Sequence, residues 1–202
     1  MKFTEQATTP TEARTQRLGF VVALAKFVAP DYVYNDDKVI SVPYGHVAVQ
    51  KMIYLLGEID DPDVHALFDS LCIPHFQMSA TGPYSATLAK EVVTINDNAE
   101  MFRDVKLSEQ GKFSALTLKM LSTPPIVDEI GAVISQHDWL TMLAAYRYLS
   151  EFRPDSEIQS FVGKLIPETS GLNWVGYVKN IMFGCLKNRI QPIVWSGADS
   201  VN

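Results

Sequence analysis

The sequence has few of the features that would hold it together covalently or anchor it in a membrane. Only two of its 202 residues are cysteines, Cys72 and Cys185, and they lie far apart. Two distant cysteines do not make the disulfide framework of a small secreted domain, so we expect reduced thiols. The polar N-terminus lacks the pattern of a signal peptide. The apolar stretch 18–29 is interrupted by Lys26, and it is shorter than the ~18 apolar residues of a membrane span. The sequence therefore predicts a cytoplasmic protein.

Positive charge is also scarce. Seventeen Lys and Arg residues against 23 Asp and Glu residues give a net charge of −6. This balance argues against a basic nucleic-acid coat or a polybasic membrane anchor, although a small local basic patch is compatible with it. With 47% hydrophobic residues, a chain of this length can bury about 70% of its unfolded surface. We expect it to fold without a metal or a disulfide.

Recognisable catalytic motifs are absent from the sequence. Gly111-Lys112 lacks the upstream glycine of a phosphate-binding loop, and neither G-x-S-x-G nor H-E-x-x-H occurs. His65, Cys72 and His75 are spaced as a weak zinc candidate, but no second matched pair of ligands accompanies them. We expect a packed cysteine and two solvent-facing or capping histidines there, and no metal or cofactor.

A second weak candidate is a metal-dependent nuclease site formed by Asp63, Asp104 and Lys106. Carboxylates would hold the metal in such a site, and the lysine would stabilise the developing charge. Short patterns of this kind arise by chance in a chain with 23 acidic residues. We therefore predict a protein that is not an enzyme, and keep the nuclease as a minor alternative.

The apolar periodicity predicts a mostly helical α+β protein rather than a βαβ arrangement. One helix contains Glu12 and ends before Pro30, and a last helix carries Trp174. The other predicted helices cover residues 45–58, 64–71, 86–95, a stretch ending at 121, 126–135, 137–152 and 157–165. A short hairpin or ordered loop is predicted over 31–43, and a strand over 103–107.

The segment 44–121 carries the most informative pattern. Its first helix, YGHVAVQKMIYLLGE, is amphipathic. We expect Gln50 and Lys51 on the polar side of this helix, and Tyr54 and Leu55 on the buried side.

An extended segment then leads into the predicted turn Gly82-Pro83-Tyr84-Ser85. Gly82 gives the backbone conformational freedom, Pro83 fixes φ, and Ser85 is placed to cap the following helix. The predicted strand ends at Leu107, and a helix restarts near Gly111.

Taken in order, these motifs resemble a winged-helix family of bacterial proteins. The family includes the Panacea (SocA-like) antitoxin domain, the YwgA-type proteins and the middle components of ABC-three-component (Lamassu-like) defence systems. Its pattern is approximately xxLQKLxYLL, FxxYxYGPYSxxLxxxL and YxLTxxG, and residues 138–149 resemble a later helix of the same proteins. The likeness spans roughly residues 44–165. The short stretch between Ile95 and Arg103 implies a truncated or missing wing.

The resemblance implies a division of the chain into three parts. Residues 1–13 would be a flexible tail, 14–121 a winged-helix-like domain, and 122–202 a helical C-terminal extension packed on it. The implied function is a non-catalytic adaptor subunit of an anti-phage or anti-plasmid defence complex, bridging an SMC-like ATPase and an effector nuclease. The alternative is an antitoxin or regulator that neutralises a toxin partner and could contact DNA.

Direct DNA binding is not favoured by the sequence. The presumed recognition helix 86–95 carries Lys90 as its single basic residue, whereas a major-groove reader usually needs several. We expect protein partners, with indirect or weak DNA contact and no membrane contact. Aromatic residues are enriched at interfaces, and the candidate partner surface in the tail consists of Trp174, Tyr177, Phe183 and Trp195. Closure of the protein's own core by these aromatic residues is equally compatible with the sequence.

Overall fold

The structure is a computed structural model, and it describes residues 10–35, 38–40, 44–124, 134–170, 172 and 174–187. Within these ranges the chain forms eight α-helices and two antiparallel hairpins. The helices are α1 (Pro10–Val28), α2 (Tyr44–Gly57), α3 (Pro62–Ser70), α4 (Ala86–Asp97), α5 (Glu109–Leu121), α6 (Gln136–Leu149), α7 (Asp155–Leu165) and α8 (Trp174–Lys187). The strands are β1 (Val33–Asn35), β2 (Lys38–Ile40), β3 (Gln77–Ser79) and β4 (Gly82–Tyr84). The predicted α+β, mostly helical class is confirmed.

Side-chain caps set the beginnings of three helices. Asp61, Ser85 and Ser135 each have extended backbone, and each side chain accepts a hydrogen bond from a backbone N–H two or three residues further on. Such a bond satisfies one of the N–H groups that the first turn of a helix leaves without a partner. The predicted capping role of Ser85 is confirmed.

A single apolar core runs through the described part of the chain, from Leu18 in α1 to Met182 in α8. Helices α2 and α6 pack against each other at its centre. The buried Trp139 of α6 also donates its indole N–H to the Leu121 carbonyl at the end of α5, at 2.8 Å. The predicted boundary at residue 121 therefore does not coincide with a break in the core.

The first hairpin lies where the sequence predicted one, within 31–43. Val33 pairs with Ile40, and Asn35 pairs with Lys38. The Asn96 side chain of α4 accepts a hydrogen bond from the Ile40 N–H at 2.9 Å and donates one to the Ile40 carbonyl at 3.0 Å. Because this amide satisfies the outer edge of β2, the hairpin is fixed to α4.

The second hairpin corrects the prediction of a turn at Gly82-Pro83-Tyr84-Ser85. Residues Gly82–Tyr84 form strand β4, which pairs with β3 in the register Gln77 to Tyr84 and Ser79 to Gly82. The chain reverses before Gly82, where the Ser79 hydroxyl donates to the Gly82 carbonyl at 2.7 Å. Proline is compatible with β4 because this hairpin has only two strands, so one edge of β4 needs no N–H donor.

The predicted strand 103–107 is wrong. Residues 103–104 form a turn, and 105–107 have no regular structure. This segment is instead held by a side chain, because the Lys26 ammonium of α1 donates to the carbonyl groups of Phe102 and Arg103.

A buried ion pair joins α1 to α4. The Arg17 guanidinium donates to both carboxylate oxygens of Glu91, with Nε at 2.9 Å from Oε2. It also donates to the carbonyl groups of Leu71 and Cys72 at 2.8 and 3.0 Å, just after α3. The hydrogen bond to Glu91 is the main cause that raises the pKa of Arg17.

Two predictions concern the ends of elements. Helix α1 begins at Pro10, so residues 10–13 of the predicted tail are helical. The predicted helix 126–135 falls mostly outside the described residues, and Ser135 is the cap of α6 rather than part of a helix before it.

Among the described residues, none of the helices combines the length and the apolarity that crossing a bilayer requires.

Candidate functional site

The separate motifs of the sequence pattern meet in one place, which we call the signature cluster. It consists of Gln50, Lys51, Gly82, Pro83 and Ser85, and it joins α2 to strand β4 and to the beginning of α4. Residues 32 to 35 positions apart in sequence are therefore in direct contact. Each of these residues satisfies a hydrogen-bonding group of another or makes room for it.

Lys51 occupies the centre of the signature cluster. Its side chain is fully buried, and its ammonium donates to the Pro83 carbonyl at 2.6 Å. Burial penalises the charged form and lowers the pKa of Lys51 from 10.5 to about 8. The prediction that Lys51 lies on a polar side of α2 is wrong, because α1, α4, α5, α6 and β4 surround this helix.

Gln50 is also fully buried, which again corrects the predicted polar side. Its Oε1 accepts a hydrogen bond from the Ser85 N–H at 2.6 Å, and its Nε2 lies 3.2 Å from Nε2 of His46. The backbone N–H of the residue that caps α4 is thus satisfied from α2. Burial lowers the pKa of His46, whose ring lies 6.4 Å from the ring of Tyr84.

Two features favour glycine at position 82, its backbone conformation and the close approach of the Lys51 side chain. Its φ is +91°, in the region that favours glycine. A Cβ atom built at Gly82 would lie 3.3 Å from the Lys51 ammonium nitrogen. A larger residue at this position would require the Lys51 side chain to shift by a few tenths of an ångström. The bonds that Lys51 donates to Pro83 and Gln50 accepts from Ser85 go to backbone groups. It acts as a clamp that holds the hairpin and α4 against α2.

The remaining residues of the sequence pattern belong to the interior or to α5. Tyr54 and Leu55 are buried in the core, as predicted, and Leu107 is half-buried against it. Gly111 lies in the first turn of α5. The described neighbourhood of these residues thus favours packing over chemistry.

An open groove lies beside the clamp, between α2, α3, the segment before β3 and the end of α6. We call it the aromatic groove, and its volume is about 400 Å³. Its aromatic lining consists of Tyr54, Phe68, Phe76, Tyr148 and Phe152. Tyr54 contacts the rings of Phe76 and Tyr148, with centroids 5.6 and 6.2 Å away. The Phe152 ring lies 6.1 Å from that of Tyr148 and is 68% exposed.

The charged residues lining the aromatic groove are acidic. They are Glu58, Asp69 and Glu151, and neither lysine nor arginine is among the residues that line it in the described part of the chain. Arg147, just outside, bonds Glu58 at 2.7 Å and Glu151 at 2.8 Å. Burial raises the pKa of Glu58, and the positive charge of Arg147 opposes that effect.

The structure corrects the predicted partner surface in the tail at Trp174. Trp174 is fully buried in the core, so it is not available as an exposed anchor. Tyr177 is half-buried, with its ring 6.0 Å from that of Trp139. Helix α8, which carries both residues, packs against α5, α6 and α7. The Phe183 side chain and Trp195 lie outside the described residues.

The weak zinc candidate is not assembled, and of the nuclease candidate only Asp104 and Lys106 share a groove, without Asp63. In the described ranges, no group of three or more His, Cys, Asp or Glu side chains is close enough to hold a metal ion. His75 lines the aromatic groove, whereas Asp104 and Lys106 line a different groove beside α1.

That other groove is a feature that sequence reasoning missed. We call it the basic groove, because four cationic side chains line it: Lys26, Arg103, Lys106 and Lys112. Three of them lie between residues 103 and 112, and the fourth, Lys26, comes from α1, about 80 positions earlier in the sequence. The signal available in the sequence was the group Arg103, Lys106 and Lys112, whereas the contribution of α1 needs the fold.

Comparison of the chain with protein-family models, curated proteins and solved structures finds no match. The functional argument therefore depends on the signature cluster and on the chemistry of the two grooves.

Proposed function

We propose that this protein is a non-catalytic adaptor subunit of a bacterial anti-phage or anti-plasmid defence complex, in which it bridges an SMC-like ATPase and an effector. The observation that carries the adaptor role is the aromatic groove with its acidic lining. The nature of the complex comes from the resemblance of the sequence to middle components of ABC-three-component systems. The winged-helix interpretation is part of the proposal, supported by the clamp that seats a hairpin and a capped helix on α2.

The aromatic groove supports a protein partner because of its exposed apolar surface. A phenylalanine that is 68% exposed and lines a groove together with four further aromatic side chains is costly to leave in water. Aromatic residues grouped in this way are typical of the anchors that dominate protein–protein binding. The open shape and volume of about 400 Å³ suit one or two inserted side chains.

The acidic lining indicates which kind of segment would occupy the groove. Three carboxylates line it, and Arg147 is shared between two of them. A partner segment with an apolar or aromatic anchor and flanking Lys or Arg residues would complement both the surface and the charge. The net charge of −6 would also steer such a basic segment towards this protein.

The test is quantitative binding to the purified products of the neighbouring genes. Phe152→Ala removes the most exposed ring of the groove, and Met101→Ala is the matched control, since Met101 is 65% exposed and lines neither groove. We expect Phe152→Ala to weaken binding of one partner at least tenfold, and Met101→Ala to leave it unchanged. Thermal unfolding should be the same for both variants, because neither side chain is buried.

Two results would overturn the proposal. Unchanged partner binding in Phe152→Ala would show that the groove is not the contact. A chain that stays monomeric with the product of every neighbouring gene would exclude the adaptor role, whereas tight binding to a single toxin alone would favour the antitoxin alternative.

A further inference from the structure

We propose that the basic groove is a second docking surface, which binds an acidic segment of a protein partner through an apolar anchor. This inference goes beyond the proposed function and stands on the chemistry of this groove alone. The groove has a volume of about 320 Å³ and lies between α1, the segment 103–107 and the beginning of α5.

The floor of the basic groove is apolar. It is formed by Ala23 and Phe27 of α1 and by Val105 and Leu107 of the irregular segment. Phe27, Val105 and Leu107 are only half-buried, so the described structure leaves part of their apolar surface in water. An aliphatic or aromatic side chain placed on this floor would remove that surface from water, which favours binding.

The rim of the groove is positively charged although the chain as a whole is acidic. Four cations line it against one carboxylate, Asp104, in a protein of net charge −6. Lys119 adds to the same field, since its ammonium lies 5.0 Å from the centre of the Phe27 ring. Segregation of this kind creates a local positive potential that attracts an acidic ligand.

Hydrogen bonds and an ion pair hold the segments of the basic groove in place. Lys26 donates to the carbonyl groups of Phe102 and Arg103, and these bonds hold the irregular segment beside α1. Arg103 in turn pairs with Glu100. Lys106 is exposed on the rim, and it forms no ion pair within the described part of the chain. Lys26 is therefore a positioning residue, and Lys106 is the cation best placed to meet a ligand.

An acidic protein segment fits this groove better than a nucleic acid does. Single strands bind where aromatic faces stack on bases and cations follow the phosphates. Here the one aromatic side chain is half-buried with a lysine next to its ring, and the rest of the floor is aliphatic. Carboxylates on the rim and an apolar side chain on the floor would satisfy both parts of the surface.

The aromatic groove and the basic groove share none of their lining residues, and their charges are opposite. A partner with a basic segment and a partner with an acidic segment could therefore bind simultaneously.

The experiment titrates the full chain with three labelled probes. One is a 12-residue peptide of Asp and Glu with a central Phe and Leu, the second is the same peptide with Ser at both apolar positions, and the third is a 12-nucleotide strand of thymidylate. We expect the first probe to bind most tightly, with chemical-shift changes at Phe27, Val105 and Leu107, and with affinity that falls as salt rises.

Charge-reversal variants locate the site. Lys106→Glu should weaken binding of the first peptide at least tenfold. Lys90→Glu makes the same charge change on an exposed position of α4 and should leave binding within twofold. Phe152→Ala should not alter binding of the first peptide. A negative result for the basic groove is therefore distinguishable from a negative result for the aromatic groove.

The proposal is overturned if none of the probes binds, if the serine peptide binds as tightly as the apolar one, or if Lys106→Glu has no effect. Tighter binding of the thymidylate strand, lost in Lys106→Glu, would overturn it in favour of a nucleic-acid surface.

Discussion

The buried Lys51 should give the protein a pH-dependent stability that one substitution removes. Replacing Lys51 by Met keeps a side chain of similar length and deletes the ammonium. The Pro83 carbonyl then loses its donor, and that loss is offset by relief of the cost of burying a charge. The absolute change in stability therefore combines opposing effects, whereas its dependence on pH reports Lys51 alone.

The magnitude follows from the pKa. Burial lowers the pKa of Lys51 to about 8, against 10.5 when the side chain is exposed. The unfolded chain thus binds more protons between about pH 8 and 10.5, and the free energy of unfolding rises with pH in that window. The full effect is on the order of 3 kcal/mol, of which roughly 2 kcal/mol falls between pH 7 and pH 10. Burial also raises the pKa of Tyr54, so the ionisation of this tyrosine lowers the free energy of unfolding above about pH 10.

The assay is urea unfolding of the wild-type chain and of Lys51→Met at several values between pH 7 and pH 10. Tyrosine ionisation affects both chains equally, so the difference between them isolates Lys51. Wild-type stability should rise relative to the variant by about 2 kcal/mol over this range. Lys90→Met is the control, because Lys90 is exposed on α4, and its difference from wild type should stay flat. A flat difference for Lys51→Met as well would refute the burial of a charged lysine.

Two further substitutions test the clamp and the buried ion pair. Gly82→Ala should lower the free energy of unfolding by about 1–3 kcal/mol, because alanine is strained at φ +91°. Gly163→Ala is the control in α7, where the nearest atom to an added Cβ would be 3.7 Å away, and it should be neutral or raise stability by up to ~1 kcal/mol. Equal effects of the two substitutions in urea unfolding would contradict the strain argument. Arg17→Met should cost about 3 kcal/mol, because it leaves the buried Glu91 carboxylate with only the half-exposed guanidinium of Arg14, 3.9 Å away, as a counter-ion. Adding Glu91→Leu should recover most of that loss, and a double variant as unstable as the single one would show that the charge is not the cause.

Local signals explain why much of the helical framework was predictable. Apolar residues recur at helical spacing in α2, α4 and α6, and Ser85 stands directly before such a run. The ends of these helices differ from the predicted ends by only a few residues. Caps and periodicity depend on neighbours three or four positions away, which are visible in the sequence.

The errors share a different cause, which is contact between distant residues. From their sequence neighbours alone, Lys51 and Gln50 are expected on the polar side of an amphipathic helix. Their hydrogen bonds go to strand β4 and to the residue that caps α4, which lie 32 and 35 positions later in the sequence. Gly82–Tyr84 looks like a turn because glycine and proline usually form one, but pairing with Gln77–Ser79 makes it a strand.

The candidate surfaces were hidden from sequence for the same reason. The basic groove combines α1 with residues 103–107 and α5. The aromatic groove combines α2 with α3, the segment before β3 and the end of α6. In contrast, Trp174 attracts attention in the sequence as an aromatic residue near the end of the chain, yet its side chain lies in the core.

Native mass spectrometry of the purified chain mixed with the ATPase and effector candidates from its gene neighbourhood tests the adaptor role most directly. The account predicts one assembly that contains all three proteins, which loses a single component when Phe152 is replaced by Ala. Detection of only the separate proteins, or of the chain paired with a toxin and nothing else, would contradict it.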